Sequence, residues 1–164
     1  MVMAAIAALL IPNLLGFDRY VIVSGSMTGT FNRGSVIFDK AKPVADLKVG
    51  DVITYMPPAA TGVNHLVSHR IHSIQLADDG TTKVFRTKGD ANPGEDPWIF
   101  ALNGQKQNVM HFSVPYVGFA LMAMANPHVR LVVISVPAAI IALLALLDLF
   151  DITLRLPRRR VQAA

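Results

Sequence analysis

The chain has 164 residues, 52% of them hydrophobic and 16% charged, with no cysteine and a formal net charge of +4. That balance excludes intrinsic disorder, and the missing thiols exclude a disulfide scaffold, a zinc finger, an iron–sulfur site and a thiol nucleophile. Residues 18–128 carry ten Lys/Arg against nine Asp/Glu, and residues 129–164 carry five against two, so the basic excess sits in the tail and no nucleic-acid partner is expected.

Residues 1–17 are uncharged and mostly apolar. They lack the basic first region of a signal peptide, and a length of about 17 residues is the lower limit for crossing a bilayer. The expectation is an N-terminal transmembrane helix over 1–17, interrupted by Pro12 and Asn13, whose missing basic flank points to a natural start upstream of Met1. A buried core helix is the alternative for a segment this short.

Residues 18–128 alternate short β-rich runs with turn signals, which predicts a mainly β domain of antiparallel sheets. Strands are expected at residues 20–23, 35–38 and 51–55, followed by a hairpin whose arms 65–76 and 82–87 flank Asp78-Asp79-Gly80, a turn of the Asp-Gly kind. Residues 116–125 (YVGFALMAMA) are apolar but too short to span. They suit an interfacial segment leading into the next helix. Residues 131–147 (LVVISVPAAIIALLALL) are again uncharged, and Leu149 and Phe150 extend the run to the ~20 residues that a span needs. The second transmembrane helix is therefore expected over 129–150, kinked at Pro137. The basic tail 151–164, with Arg158-Arg159-Arg160, marks the cytoplasmic side. Two spans put both termini in the cytoplasm and residues 18–128 outside it.

Three segments of the middle region carry chemistry. Ser24-Gly25-Ser26-Met27 follows the first strand, and a serine leaving a strand through a glycine turn is held exposed beside free backbone N–H groups. Ordinary loops have the same composition. Next, His65, His69 and His72 fall within eight residues. On a strand His65 and His69 share one face and His72 takes the other; a helical H-E-x-x-H zinc site is missing its Glu. His69, in line between Val67 and Ile71, is expected on the packed face, as a buried structural histidine or as a general base. Third, the loop 87–96 (TKGDANPGED) holds Asp90, Glu95 and Asp96 without the ligand spacing of an EF-hand. It reads as a solvated turn, or as the source of one carboxylate to orient His69. No cofactor or metal is expected.

Taken in order, VSGSM, GDVITY, SHRI, TKGDAN with a later Asp, and PYVG resemble type I signal peptidases. The resemblance is to the serine–histidine branch of archaea, some bacteria and the endoplasmic reticulum. The bacterial serine–lysine branch has a lysine where this chain has His69. The resemblance covers residues 21–126 and implies a signal-peptidase-like mainly β catalytic domain, anchored by the two transmembrane helices in the cell membrane with its site on the extracytoplasmic face. It implies Ser26 as nucleophile, His69 as general base, Asp96 as the carboxylate orienting His69 with Asp90 supporting or sharing that role, and Ser24 with the Ser26 amide as oxyanion donors. Where the family has proline two residues after its Ser-Met, this chain has Gly29; its R-G-D box reads Arg33-Gly34-Ser35, and Ala91 displaces an asparagine of the acidic box.

The implied activity is removal of signal peptides from exported preproteins after small residues in an Ala-X-Ala pattern, without cofactor. Histidine titrates near ~6.5, so as a base it needs none of the desolvation that a lysine requires. Apolar surface near Met27 and Phe31 and over residues 116–124 is expected to hold the site at the bilayer. The implied partners are preproteins and lipid, with accessory subunits left open. The alternatives are a catalytically inactive membrane-anchored binding module and a membrane serine peptidase with a narrow substrate set.

Overall fold

The computed structural model describes Pro12 and residues 14–155, with side chains up to residue 150. The N-terminal span expected over 1–17 and the arginine cluster of the tail lie essentially outside the described residues. What is described divides after Leu121 into two compact units.

The first unit is built on one antiparallel sheet. Its strands are β1 (Phe17–Val21), β2 (Val36–Pro43), β3 (Val52–Tyr55), β4 (Val67–Leu76), β5 (Lys83–Lys88), β6 (Phe100–Ala101) and β7 (Lys106–Val114). Their order across the sheet is β1-β2-β7-β3-β4-β5-β6. Four of the five expected strands are displaced by only a few residues at their ends: β1 begins at Phe17, inside the segment expected to be helical, and β4 begins at Val67, which leaves His65 before the strand. The β4–β5 hairpin closes through Asp79, whose carboxylate accepts the N–H groups of Thr81 and Thr82 at 2.9 and 2.8 Å, the local bonding that makes Asp a turn residue.

Strands β6 and β7 were not expected. The sequence of β7, KQNVMHFSV, lacks a clean apolar–polar alternation, yet it lies in the middle of the sheet, paired with both β2 and β3. A strand with neighbours on both sides is stabilised by ladder bonds at either edge, and these overrule its weak pattern.

Two apolar clusters hold the unit together. Leu47, Ile53, Tyr55, Ile71, Phe85, Phe100 and Val109 form one; Tyr55 stacks on Phe100 with ring centroids 4.3 Å apart. Ile22, Met27, Phe31, Ile37 and Val52 form the other. Met27 is 1% exposed and Phe31 5%. The apolar surface expected at these two residues is therefore absent: both are spent on the core beneath the loop, where each contributes about 1.5–3 kcal/mol of burial. Exposed apolar side chains are found instead at Val23, Leu66, Tyr116 and Phe119.

Helix α1 (Val117–Ala125) follows β7. Its start is tied to the first unit by the Gly118 N–H, which donates to the Gly34 carbonyl at 2.8 Å. The second unit is dominated by helix α2 (Pro127–Arg155), which contains Pro137. Within it, Pro127–Phe150 is 24 residues long and unburied, ~36 Å at ~1.5 Å per residue. By length and composition it can cross a bilayer. It is the one such helix among the described residues.

Candidate active site

The loop between β1 and β2 presents Ser26. After β1 the chain stays paired for one more residue, Ile22 exchanging backbone bonds with Ser35 and Gly34. It then turns tightly: Thr28 N–H donates to Gly25 O at 3.0 Å, and Phe31 N–H to Met27 O at 3.1 Å. Met27 and Phe31 anchor this turn from below, which leaves half-buried Ser26 on its upper side. Gly29, where the family has proline, has φ of +112°. Proline is fixed near −65°, so the backbone here takes a path that a proline forbids.

A second loop grips the first. Ala91 N–H donates to the Ser26 carbonyl at 2.9 Å. A Cβ at Gly89 would lie 2.7 Å from that same oxygen, so only glycine permits the approach.

Strand β4 supplies His69. Side chains alternate along a strand, and His69 lies in line with Ile71 on the packed face, 7% exposed, as expected from their spacing. Its Nε2 is 3.0 Å from Ser26 Oγ, and its Nδ1 is 2.6 Å from Asp96 Oδ2. A carboxylate only accepts, so the proton between them sits on Nδ1, which leaves Nε2 as the acceptor for the Ser26 hydroxyl.

Asp96 is 6% exposed and is set opposite β5 by its own N–H, which donates to Thr87 O at 2.8 Å. Thr87 Oγ1 donates to Asp96 Oδ2 at 2.5 Å. Burial works to raise the Asp96 carboxyl, but the bonds from His69 and Thr87 outweigh it and hold the group below its ordinary range. Asp96 is thereby kept ionised.

Asp90 goes elsewhere. Its carboxylate takes a two-pronged bond from Arg70, Nε to Oδ1 at 2.8 Å and a terminal guanidinium nitrogen to Oδ2 at 2.6 Å, and a third from Thr30 at 2.5 Å. Arg70 adjoins His69, Thr30 belongs to the Ser26 loop, and Asp90 sits in the gripping loop. The pair therefore braces all three segments that carry the site. Arg70 is the main cause holding the Asp90 carboxyl below its ordinary range.

Ser24 is exposed, with Oγ 3.3 Å from Ser26 Oγ. Among the described residues the Ser26 N–H has no backbone carbonyl partner. His65 is exposed, and His72 is 2.9 Å from Glu95. The three histidines thus serve different surroundings, and among the described residues no group of three or more His, Asp or Glu is placed to hold a metal.

A cleft of about 480 Å³ opens over Ser26 and His69, walled by Val21, Val23, Leu66, Val67 and Trp98. Its walls are mostly apolar. Sequence reasoning gave no role to Thr87 and Tyr55, which lie against Asp96, or to Trp98 on the cleft wall. Tyr55 and Thr87 fall inside the GDVITY and TKGDAN boxes, but nothing local singles them out there, and Trp98 is an ordinary loop residue until the sheet brings the three together.

No family model matches the chain. It is similar to signal peptidase I W of Bacillus subtilis (strain 168), 37% identical over 86 residues, which are 52% of this chain and 42% of that protein. It is also similar to the signal peptidase complex catalytic subunit SEC11C of Rattus norvegicus, 28% identical over 131 residues, 75% of this chain and 66% of that one. The likeness to the SEC11 subunit of Colletotrichum graminicola is 27% over 103 residues, 60% and 57% of the two chains. The chain thus matches between about two-fifths and two-thirds of the length of these curated relatives. The resemblance read from the ordered boxes is thus met by curated relatives named as signal peptidases on both the bacterial and the eukaryotic side.

Proposed function

We propose that this chain is a membrane-anchored serine endopeptidase that removes signal peptides from exported preproteins, cutting after small residues in an Ala-X-Ala pattern. The observation that carries this reading is the hydrogen-bonded line Ser26 Oγ, His69 Nε2, His69 Nδ1, Asp96 Oδ2, with distances of 3.0 and 2.6 Å. Signal-peptidase names among the relatives support the reaction class.

The chemistry follows from that line. A serine hydroxyl is a weak nucleophile at neutral pH and needs an adjacent base. His69 Nε2 takes the proton as Ser26 Oγ attacks the scissile carbonyl. The oxyanion that forms is met by the Ser26 amide and by the Ser24 hydroxyl, which turns to it from Ser26 Oγ. Ionised Asp96 fixes the imidazole tautomer and stabilises the imidazolium. His69 then returns the proton to the leaving amine. Water, deprotonated by the same nitrogen, releases the acyl group from Ser26. Asp90 acts as a brace, holding the nucleophile and base segments in register through Arg70 and Thr30.

The substrate lies extended in the cleft, presenting alternate side chains to its walls. Helix α2 is the C-terminal anchor, a second anchor precedes β1, and both termini face the cytoplasm. The site then works at the outer surface of the membrane, where the helix of a signal peptide ends. Relatives named as catalytic subunits of a complex favour accessory membrane subunits as partners.

The test is cleavage of an Ala-X-Ala preprotein in detergent by the full chain and by Ser26→Ala. Cutting after the small residue, abolished by the substitution, is expected. Equal cutting by both refutes the assignment of Ser26.

A further inference from the structure

Beneath Asp96 lies a line of buried polar side chains that the reaction above leaves unused. Tyr55 closes β3, Thr87 lies on β5, and β4 with His69 runs between those strands. The registers Ile53↔His69 and Ile71↔Thr87 put Tyr55, His69 and Thr87 on one face of three adjacent strands. Thr87 is fully buried and Tyr55 nearly so. Tyr55 OH is 2.7 Å from Thr87 Oγ1 and 3.5 Å from Asp96 Oδ2, and Trp98 Nε1 is 3.0 Å from Tyr55 OH.

The directions follow from donor capacity together with distance, Thr87 lying closer to Asp96 Oδ2 than Tyr55 does. An indole N–H only donates and a carboxylate only accepts. Trp98 therefore donates to Tyr55, and Thr87 gives its single proton to Asp96. Tyr55 is left to donate to Thr87, which makes all the bonds point toward Asp96. Thr87 and His69 both donate to the same atom, Asp96 Oδ2. Burial pushes the Tyr55 phenol up to about 12, so its donor proton is retained throughout the working pH range.

We propose that Trp98, Tyr55 and Thr87 are positioning residues for the peptidase reaction: a one-way hydrogen-bond relay that fixes Asp96 Oδ2 at the point where it receives the His69 imidazole. The proposal rests on the serine–histidine–aspartate reading above. Torsion of the Asp96 carboxylate would otherwise be limited only by His69 itself, the group that Asp96 has to orient. The relay supplies an independent reference anchored in the sheet. Since Tyr55 touches Asp96 chiefly through Thr87, the two hydroxyls act in series.

The experiment compares Thr87→Val, Thr87→Ser, Tyr55→Phe and the Thr87→Val/Tyr55→Phe double variant with wild type and Ser26→Ala, all as full chains in detergent. Tyr55→Phe keeps the ring stacked on Phe100 and removes only the hydroxyl. Removing a hydrogen bond to a buried charge is expected to lower kcat about tenfold in Thr87→Val. Tyr55→Phe loses about threefold, with KM unchanged in both. Thr87→Ser stays within about twofold of wild type, and the double variant is no worse than Thr87→Val, because links in series do not add. Losses that multiply in the double variant, or that fall on KM, overturn the relay. If instead Ser26→Ala cuts like wild type, the peptidase reading fails. The relay then stands or falls on the low-field proton resonance of His69 Nδ1–H, identified by its loss in His69→Gln. That resonance is expected to shift in Thr87→Val and to return in Thr87→Ser; a resonance absent from wild type or unmoved by Thr87→Val overturns the relay with or without turnover.

Discussion

Asp39 lies on β2, 0% exposed, and among the described residues neither carboxylate oxygen is within hydrogen-bond geometry of a partner, the nearby Thr54 hydroxyl being paired with Ser68. Burial pushes its carboxyl from 3.8 up to about 6; the Thr54 hydroxyl eases the shift, Asp18 across the β1–β2 pair adds to it, and His111 opposes it. Because the folded value lies above the unfolded one, the native state binds more protons between pH ~4 and ~6, and stability falls as pH rises through that window. Above it the ionised group costs at most ~3 kcal/mol relative to its protonated form. Replacing Asp39 by Asn removes the charge and keeps the shape. The full chain carrying Asp39→Asn is therefore expected to be more stable than wild type by about 1–3 kcal/mol at pH 8, or several degrees in Tm for a chain of this size, and to gain little at pH 4.5. The only tryptophan of the sequence, Trp98, lies in the first unit and reports unfolding by its fluorescence in detergent. An equal gain at both pH values would place the effect in packing rather than charge. A loss at pH 8 would refute the reasoning outright.

Three further substitutions test the site. Asp96→Asn, whose amide can turn a donor toward His69 and impose the wrong tautomer, is expected to reduce kcat by roughly 10³–10⁴. Asp90→Asn touches only the brace and should stay within about tenfold of wild type; steady-state cleavage by both variants decides, and a larger loss in Asp90→Asn would reverse the two roles. Gly89→Ala puts a methyl group 2.7 Å from the Ser26 carbonyl, so it should displace the nucleophile loop and lower kcat at least about tenfold. Retained activity would show that this loop does not hold Ser26.

Much of the site was legible because the relevant signals are local. The two-residue period of a strand put His69 on the face of Ile71 before any fold was known. The run after Arg130 was long and apolar enough to announce a spanning helix without reference to the rest of the chain. Ordered boxes around Ser26, His69 and the 87–96 loop pointed to one family. Strand β7 was not legible. Its residues carry little periodicity, and its place at the centre of the sheet comes from pairing with β2 and β3, partners far away along the chain.

The sequence by itself determined the residue types, their order and the faces they take within each strand, since all of these depend on near neighbours. Only the tertiary structure separates the surroundings of the two acidic residues. Asp90 and Asp96 lie six residues apart in one loop, and local chemistry treats them alike. The Asp96 N–H bonds back to Thr87 on β5, which swings one carboxylate beneath His69, while Arg70 draws the other to the surface. It likewise turned Met27 and Phe31 from expected surface into core, and it joined Trp98, Tyr55 and Thr87 behind Asp96. Each of these outcomes depends on contacts between distant segments, whose geometry exists only once the sheet has closed.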